Sequence, residues 1–280
     1  MISQIACQSS YVRHHHAENQ GHYLYFDGWH FLQHRDVKIS MKIGRSFSNV
    51  FFETEGSAMK DSFSKIDLSA LSNETYSAVY SDVCDASGLR HQTLEPGMKL
   101  LAGPKQVLIG WARTAISRPV IEIPERPYGG EIDFIDSLSA GDVVVLDCSR
   151  KPAAAWGELF STASVGRGAR GALIDGLARD IDKIDALGKF SVYARDRRPT
   201  DSLGRVAISD YDVPVCVYGL TVNSGDLVVC DNDGAIIIPR IHAIEMIDKA
   251  RTKAAIETDA RELLLKGGFL RDVWEKYRVL

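Results

Sequence analysis

The sequence predicts an α/β protein, because stretches with helical spacing of apolar residues alternate with short β-branched runs. The helix-like stretch 75–86 and the fully apolar run 143–146 are examples of the two patterns. The apolar fraction of 45% and the charged fraction of 25% are ordinary for a globular protein. Helices and strands interleave along the chain without an internal repeat, so the class is α/β, and the length of 280 residues allows one large domain or two small ones.

The elements follow in order from residue 66. A stretch at 68–72 leads into the helix predicted at 75–86, which Gly88 ends. Strands are predicted at 105–115, 143–146, 172–174, 213–217, 227–230 and 235–238, with a short helix at 156–165. A long amphipathic helix is predicted from residue 241 to about 266, where two glycines stop it before a short tail.

Residues 1–65 differ in character from the rest of the chain. They contain six of the eight histidines and show no sustained periodicity. The run His14-His15-His16 is expected to be a solvated segment, because three adjacent histidines do not converge on one metal ion. We therefore divide the chain into an N-terminal extension of unknown role, residues 1–65, and a main domain, residues 66–280.

Charge and cysteine content exclude several classes of protein. A formal net charge of −4 and a pI near 6.1 give no general basic field, so neither nucleic acid nor a membrane is an expected partner. The five cysteines are scattered without a CxxC pair, which predicts free thiols in a reducing compartment. No apolar run approaches the roughly 20 residues that cross a bilayer, and a cytoplasmic location is expected.

Two glycine-containing motifs imitate binding sites. Gly166-x-Gly168-x-x-Gly171 matches the dinucleotide-binding fingerprint, but here a helix precedes it and a strand follows, the reverse of what pyrophosphate binding needs. The glycines are interpreted as a helix end and a tight connection. Asp231-Asn232-Asp233-Gly234 resembles the start of a calcium loop, but an apolar strand ending in Pro239 follows, so a hairpin turn is predicted.

The stretch from Gly157 to Asp180 contains residues suited to chemistry. The strand at 172–174 is expected to end in an Asp175-Gly176 turn, which delivers Arg179 and Asp180 to its C-terminal edge. A guanidinium can bind a carboxylate through two parallel hydrogen bonds, and a carboxylate can bind a hard cation such as Mg²⁺. Glu158 lies at the start of the preceding helix, where free N–H groups can bind an oxygen. On pattern alone, a structural Arg-Asp ion pair at a helix start explains the pair equally well.

This stretch resembles the signature of the RraA-like family, which joins 4-hydroxy-4-methyl-2-oxoglutarate/4-carboxy-4-hydroxy-2-oxoadipate aldolases with the regulator of ribonuclease E activity. The matching segments are Gly157-Glu158-Leu159, Arg167-Gly168-Ala169-Arg170-Gly171, Ala172-Leu173-Ile174-Asp175-Gly176 and Arg179-Asp180. Similar flanking segments are 80–88, 101–104, 141–147 and 224–239, so the resemblance spans about residues 68–262.

The resemblance implies a compact, layered α/β sandwich of the swivelling-domain type, assembled as a homotrimer or homohexamer with sites between subunits. It also implies a divalent-metal-dependent lyase that cleaves a 4-hydroxy-2-oxo acid to pyruvate and decarboxylates oxaloacetate. In that case the backbone from Gly157 through Glu158 and Leu159 to Phe160, with Arg179, binds the pyruvyl half. Asp180 binds Mg²⁺, Mn²⁺ or another divalent cation, and Glu158 orients or deprotonates a water.

One element of the family pattern is in a different register here. An acidic residue often follows the Arg-Asp pair closely, and the candidates in this chain are Asp182 and Asp185. The family's aldolases also take an acidic residue from a neighbouring subunit, and this sequence does not identify it.

The alternative function implied by the resemblance is a non-catalytic regulator that binds a ribonuclease. The retained carboxylate of Asp180 favours the enzyme. A methyltransferase is disfavoured, because no glycine-rich loop follows an N-terminal strand. A Schiff-base mechanism lacks a nucleophile in this stretch, because no lysine lies between Gly157 and Asp180.

Overall fold

A computed structural model describes residues 66–148 and 153–279, so the predicted N-terminal extension lies outside the described residues. The helices are α1 (Leu68–Glu74), α2 (Ser77–Ala86), α3 (Gly129–Asp136), α4 (Glu158–Gly166), α5 (Ile181–Asp185), α6 (Ala243–Leu265) and α7 (Leu270–Tyr277), with a 3-10 turn at Arg240–His242. Across these described residues, no helix is long and apolar enough to cross a membrane.

One curled sheet forms the centre of the domain. The strands are β1 (Lys99–Ala102), β2 (Leu108–Pro119), β3 (Asp142–Asp147), β4 (Ala154–Trp156), β5 (Gly171–Ala178), β6 (Ser191–Arg197), β7 (Val206–Tyr211), β8 (Val215–Val217), β9 (Leu220–Val222), β10 (Leu227–Asp231) and β11 (Gly234–Ile238). Their order is β1-β6-β5-β3-β2-β10-β11, with β4 beside β5 and β7 beside β2, while β8 and β9 form a separate hairpin. The neighbours β2, β3, β5 and β6 run parallel, and the remaining pairs, apart from β4 with β5, are antiparallel.

The two faces of the sheet are buried in different ways. Alternate side chains of β3, such as Val143 and Val145, pack against the β8–β9 hairpin. The side chains between them, Val144 and Leu146, pack against Phe134 of α3 and the neighbouring aromatic residues. On that same face, the β10–β11 end of the sheet is covered by α1, α2 and α6. The α/β class and the layered sandwich predicted from the sequence are confirmed.

The strand predicted at 172–174 is longer than expected, and the prediction of a turn at Asp175-Gly176 is wrong. Strand β5 continues from Gly171 to Ala178, with a change of register against β6 between Ile174 and Leu177. Asp175 is buried inside this bulge, where it accepts hydrogen bonds from the Tyr218 backbone N–H and the Arg195 guanidinium. The two partners supply the polar contacts that let an Asp-Gly pair lie within a buried strand.

Most of the other predicted elements are confirmed within a few residues. The helix expected at 156–165 begins two residues later, because Trp156 ends strand β4. Gly166 ends α4 and Gly168 has a left-handed φ of 83°, as expected of a helix end and tight connection. Asp231 pairs with Gly234 across a two-residue hairpin. None of the four described cysteines is in a disulfide bond, and three of them are buried.

Candidate functional site

Two connections at the C-terminal ends of parallel strands build the candidate site. Strands β4 and β5 pair in parallel, and Trp156 at the end of β4 lies opposite Ala178 at the end of β5. The chain then continues into Gly157 on one side and Arg179 on the other. The Arg179 backbone N–H donates to the Trp156 carbonyl oxygen at 2.9 Å, which extends the pairing by one step. Residues 157 and 179–180, which are 22 and 23 positions apart in sequence, are therefore neighbours.

Asp180 turns its carboxylate towards the start of α4. Its φ of 59° is left-handed, a conformation that Asp adopts more readily than most residues with a side chain. The Asp180 carbonyl oxygen accepts the backbone N–H groups of Lys183 and Ile184, which fixes this turn into α5. Its Oδ2 accepts the Glu158 backbone N–H at 3.3 Å. The carboxylate side chain remains 41% exposed, so it is open to a ligand.

The lack of a side chain on Gly157 lets the connection after β4 lie close to the connection after β5. A Cβ on this residue would lie 2.9 Å from Asp180 Oδ2 and 3.4 Å from the Nε of Arg179. The φ of Gly157 is −149°, which any residue can adopt, so the need for glycine here comes from space. The N–H groups of the first turn of α4 lack partners within the helix, and they lie beside the contact between Gly157 and Asp180.

Arg179 lies between two carboxylates. Its Nε is 3.6 Å from Asp180 Oδ2, and its terminal NH2 is 3.2 Å from Oδ1 of Asp201. Asp201 also accepts a hydrogen bond from the Tyr128 hydroxyl at 2.6 Å, through Oδ2. The Arg179 side chain is 34% exposed, which leaves part of its hydrogen-bonding edge accessible.

The side chains of the predicted residues Glu158, Leu159 and Phe160 lie in three different environments. The Glu158 side chain accepts the Thr162 hydroxyl at 2.7 Å, one turn along α4. Leu159 is 76% exposed, while the Phe160 ring packs edge-on against Trp156 at 5.8 Å. The structure thus brings together Gly157, the first turn of α4, Arg179 and Asp180, while the side chains of residues 158–160 point to different surroundings.

The sequence pattern did not identify Asp201 or Tyr128 as candidate site residues. Both lie in irregular segments with no periodic pattern, and Asp201 is 21 positions beyond Asp180. Burial would raise the pKa of Asp201, but the Tyr128 hydrogen bond and the Arg179 charge outweigh it and lower this pKa. The same hydrogen bond is the main reason that the pKa of Tyr128 is raised. A Pro-Thr-Asp turn beside two arginines was the only local signal in the sequence.

The two further acidic candidates have different surroundings. Asp185 Oδ1 accepts the Gly103 backbone N–H at 3.0 Å, which ties α5 to the turn after β1. Asp182 lies on the exposed face of α5. No group of three or more His, Cys, Asp or Glu side chains suited to hold a metal ion occurs within residues 66–148 and 153–279.

The fold and the site together define an α/β protein with a polar centre at the C-terminal edge of a parallel sheet. Residues 80–237 match the RraA-like family (Aldolase/RraA), and the chain belongs to that family. The match starts in α2 and extends to β11, so it includes both connections that build the site.

Two sequence relatives and one solved structure illustrate the similarity. An uncharacterized protein of Methanocaldococcus jannaschii is 31% identical over 182 residues, covering 64% of this chain and 86% of that protein. A Halalkalibacterium halodurans protein with the name "Putative 4-hydroxy-4-methyl-2-oxoglutarate aldolase" is 33% identical over 128 residues, covering 44% of this chain and 58% of its own length. The crystal structure of Streptomyces coelicolor RraAS2, an unusual member of the RNase ES inhibitor RraA protein family, gives a TM-score of 0.59 at 26% identity, covering 70% of this chain and 96% of the other.

Proposed function

We propose that this protein is a divalent-metal-dependent class II aldolase that cleaves a 4-hydroxy-2-oxo acid and releases pyruvate. A substrate such as 4-hydroxy-4-methyl-2-oxoglutarate fits the proposal, with decarboxylation of oxaloacetate as a side activity. The observation that carries the proposal is the convergence of Arg179, Asp180 and the first turn of α4 around Gly157. Aldolase names among relatives support the same reaction class.

The pyruvyl carboxylate is assigned to Arg179 and the backbone of residues 157–160, where the Glu158 N–H donates to Asp180 Oδ2 and the N–H groups of Leu159 and Phe160 have no partner within the helix. An arginine has five N–H donors in a planar fork, of which the ion pairs with Asp180 and Asp201 use only a part. A substrate carboxylate can therefore accept two parallel hydrogen bonds from the remaining edge. The partial positive charge at the start of α4 favours the same anion.

A divalent cation fits Asp180 on chemical grounds. Oδ2 takes the contacts from Glu158 and Arg179, while Oδ1 accepts no hydrogen bond from the described residues. A carboxylate oxygen is a preferred ligand of Mg²⁺ and Mn²⁺, which keep several waters in their shell. Two carboxylates flank one guanidinium here, so a dianionic substrate needs further positive charge nearby. When bound, the cation supplies Lewis-acid stabilisation of the charge that develops on the 2-oxo oxygen.

Two of the chain's own groups are assigned to other parts of the reaction. In retro-aldol cleavage a base removes the proton of the 4-hydroxyl, and the C4 oxygen forms a carbonyl, so that the distal half leaves as an oxo product. The C3–C4 bond breaks at the same time, and its electron pair moves into the pyruvyl half to give the enolate of pyruvate. Protonation at C3 then gives pyruvate. Glu158 is assigned to orient or deprotonate a water at this step, and the Thr162 hydroxyl donates to one of its two carboxylate oxygens, Oε1. Arg179 holds the carboxylate throughout, so the reacting bond stays aligned.

The proposed assembly is a homotrimer or a dimer of trimers, and a neighbouring subunit is proposed to contribute the missing acidic residue. The main domain proposed for these roles is residues 66–280. Mass photometry of the full chain measures the oligomeric state directly, and a purely monomeric protein would contradict this part of the proposal.

The function is tested by measuring pyruvate release from 4-hydroxy-4-methyl-2-oxoglutarate and oxaloacetate with Mg²⁺ or Mn²⁺. The proposal expects cleavage of at least one of them at a rate well above the uncatalysed control. If pure, folded protein releases no pyruvate from either substrate but inhibits a ribonuclease E-type enzyme, the chain is a regulator. The RNase ES inhibitor family of the Streptomyces relative makes this the relevant second assay.

A further inference from the structure

The guanidinium of Arg179 has a second ionic partner, Asp201, which lies outside the stretch from Gly157 to Asp180. The Tyr128 hydroxyl donates to Asp201 Oδ2 at 2.6 Å, and Asp201 Oδ1 forms an ion pair with the NH2 of Arg179 at 3.2 Å. These three side chains come from the start of α3, the β6–β7 connection and the end of β5. They form a single line of polar contacts that ends at the proposed carboxylate-binding group.

The backbone at Tyr128 is held in place by packing contacts at the start of α3. It is the residue before the helix, with a left-handed φ of 57°. A Cβ on Gly130 would lie 2.1 Å from the Ile208 carbonyl oxygen, so the first turn of α3 lies directly against β7. The buried Glu131 side chain accepts the Ile208 backbone N–H at 3.3 Å. Together these contacts fix the backbone that presents the Tyr128 hydroxyl.

Asp201 is fixed by its own turn. Its Oδ1 accepts the Ser202 backbone N–H at 2.7 Å, and the Ser202 carbonyl oxygen accepts the N–H groups of Arg205 and Val206. The turn is therefore closed before β7 begins. The pKa of Asp201 is lowered, because the Tyr128 hydrogen bond and the Arg179 charge outweigh the effect of burial. Asp201 is then an anion at neutral pH, and its contact with Arg179 is an ion pair.

We propose that Tyr128 and Asp201 are positioning residues that hold the Arg179 guanidinium in the orientation that binds the substrate carboxylate. The inference rests on the proposed function. Asp180 lies on the Nε side of the fork and Asp201 on the NH2 side, so rotation about the last side-chain bonds of Arg179 is restricted. An arginine that is already oriented loses less entropy when a carboxylate binds.

A role for Asp201 as a competitor of the substrate predicts the opposite change in affinity for a carboxylate ligand, which makes the proposal testable. If Asp201 merely competed with the substrate for Arg179, removing its charge would tighten the binding of a carboxylate ligand. If Asp201 positions Arg179, removing its charge weakens that binding.

The first experiment compares Tyr128→Phe with Tyr211→Phe in the full chain. Each change deletes one tyrosine hydroxyl, but Tyr211 is a partly exposed residue of β7 whose hydroxyl bonds to none of the described residues, while its ring contacts Phe134. Affinity for oxalate, a small dicarboxylate, is measured by calorimetry with Mg²⁺ present, together with KM and kcat. Loss of one hydrogen bond to a charged group predicts about tenfold weaker oxalate binding for Tyr128→Phe. Tyr211→Phe is expected to match wild type.

The Asp201→Asn variant distinguishes the two roles by the direction in which oxalate affinity changes. The proposal expects weaker oxalate binding and a raised KM, and it expects little further loss when Tyr128→Phe is added, since both act through one contact. Oxalate binding that is unchanged or tighter in Asp201→Asn would overturn the positioning role. A merely structural role would lower the unfolding temperature of both variants while oxalate affinity stayed the same, and that outcome also overturns it.

Failure of the proposed function is distinguishable in the same experiment. If wild type binds neither oxalate nor pyruvate with Mg²⁺ present, the carboxylate site itself is wrong, and both proposals fall. If wild type binds oxalate and the Tyr128 and Asp201 variants do so equally well, only the positioning role falls.

Discussion

The Oδ2 atom of Asp180 occupies the space that a side chain on residue 157 would need, 2.9 Å from the position of an added Cβ on Gly157. The positions of the proposed metal ligand and of the proposed substrate-binding turn therefore depend on each other. Because the nearest atom is the end of a side chain, an added methyl group displaces the carboxylate and leaves the backbone in place.

This relationship predicts that Gly157→Ala folds but loses activity. The displaced Asp180 carboxylate should lower kcat/KM for pyruvate release by about tenfold or more, since small misplacement in an active site is costly. The unfolding temperature should change by less than about 2 °C, as for other small local changes. The matched control is Gly166→Ala, where an added Cβ meets nothing within 4 Å. Full activity of Gly157→Ala would show that the close approach has no role.

Arg179→Lys tests the carboxylate-binding role. An ammonium keeps the charge but cannot donate two parallel hydrogen bonds to a carboxylate. We expect kcat/KM to fall by at least about tenfold, the effect of losing a hydrogen bond to a charged group. The control is Arg167→Lys, because Arg167 pairs with Asp136 at an exposed position away from the site. Steady-state kinetics equal to wild type for Arg179→Lys would remove it from carboxylate binding.

Gly176→Ala tests the bulge in β5. A Cβ there would lie 2.5 Å from the Cβ of Cys148, so neighbouring strands must separate to accept it. Overpacking of this kind costs about 1–3 kcal/mol of unfolding free energy, measured by urea denaturation. A variant as stable as wild type would mean that β5 and Cys148 are farther apart than described.

The N-terminal extension is expected to be unnecessary for catalysis. The groups assigned to chemistry lie after Met59, in residues 128–201, and residues 1–65 have few periodic apolar positions. A chain that starts at Met59 should fold, assemble and release pyruvate like the full chain. The apolar segments 23–26 and 50–52 are the ones that could pack on a neighbouring subunit. Dissociation to monomers in mass photometry, or loss of turnover, would show that the extension belongs to the assembly.

The parts of the fold that were predicted from sequence have strong local patterns. The long helix α6 and the β10–β11 hairpin were found because periodicity and turn residues mark them directly. Strand β6 and helix α3 were missed because their sequences mix charged and apolar residues without a clear period. The Asp-Gly pair of β5 was misassigned because Arg195 and Tyr218, both distant in sequence, supply its polar partners.

The same distinction holds for the site. Arg179, Asp180 and the start of α4 could be proposed from one continuous stretch of sequence, since the pattern lies within 24 residues. Asp201 and Tyr128 approach Arg179 only through the packing of α3 against β7 and the turn before it. Such contacts depend on tertiary structure, so local spacing does not indicate them.

The central claim is that Asp180 binds the divalent cation on which pyruvate release depends. The most direct measurement is pyruvate release from 4-hydroxy-4-methyl-2-oxoglutarate by wild type, Asp180→Ala and the control Asp182→Ala, with Mg²⁺, after exhaustive EDTA treatment, and after Mg²⁺ is restored. We predict that EDTA abolishes and Mg²⁺ restores turnover in wild type and Asp182→Ala, while Asp180→Ala stays folded, inactive and without measurable Mg²⁺ binding by calorimetry. Wild-type turnover that survives EDTA, or an Asp180→Ala variant that binds Mg²⁺ and releases pyruvate like wild type, would contradict the account.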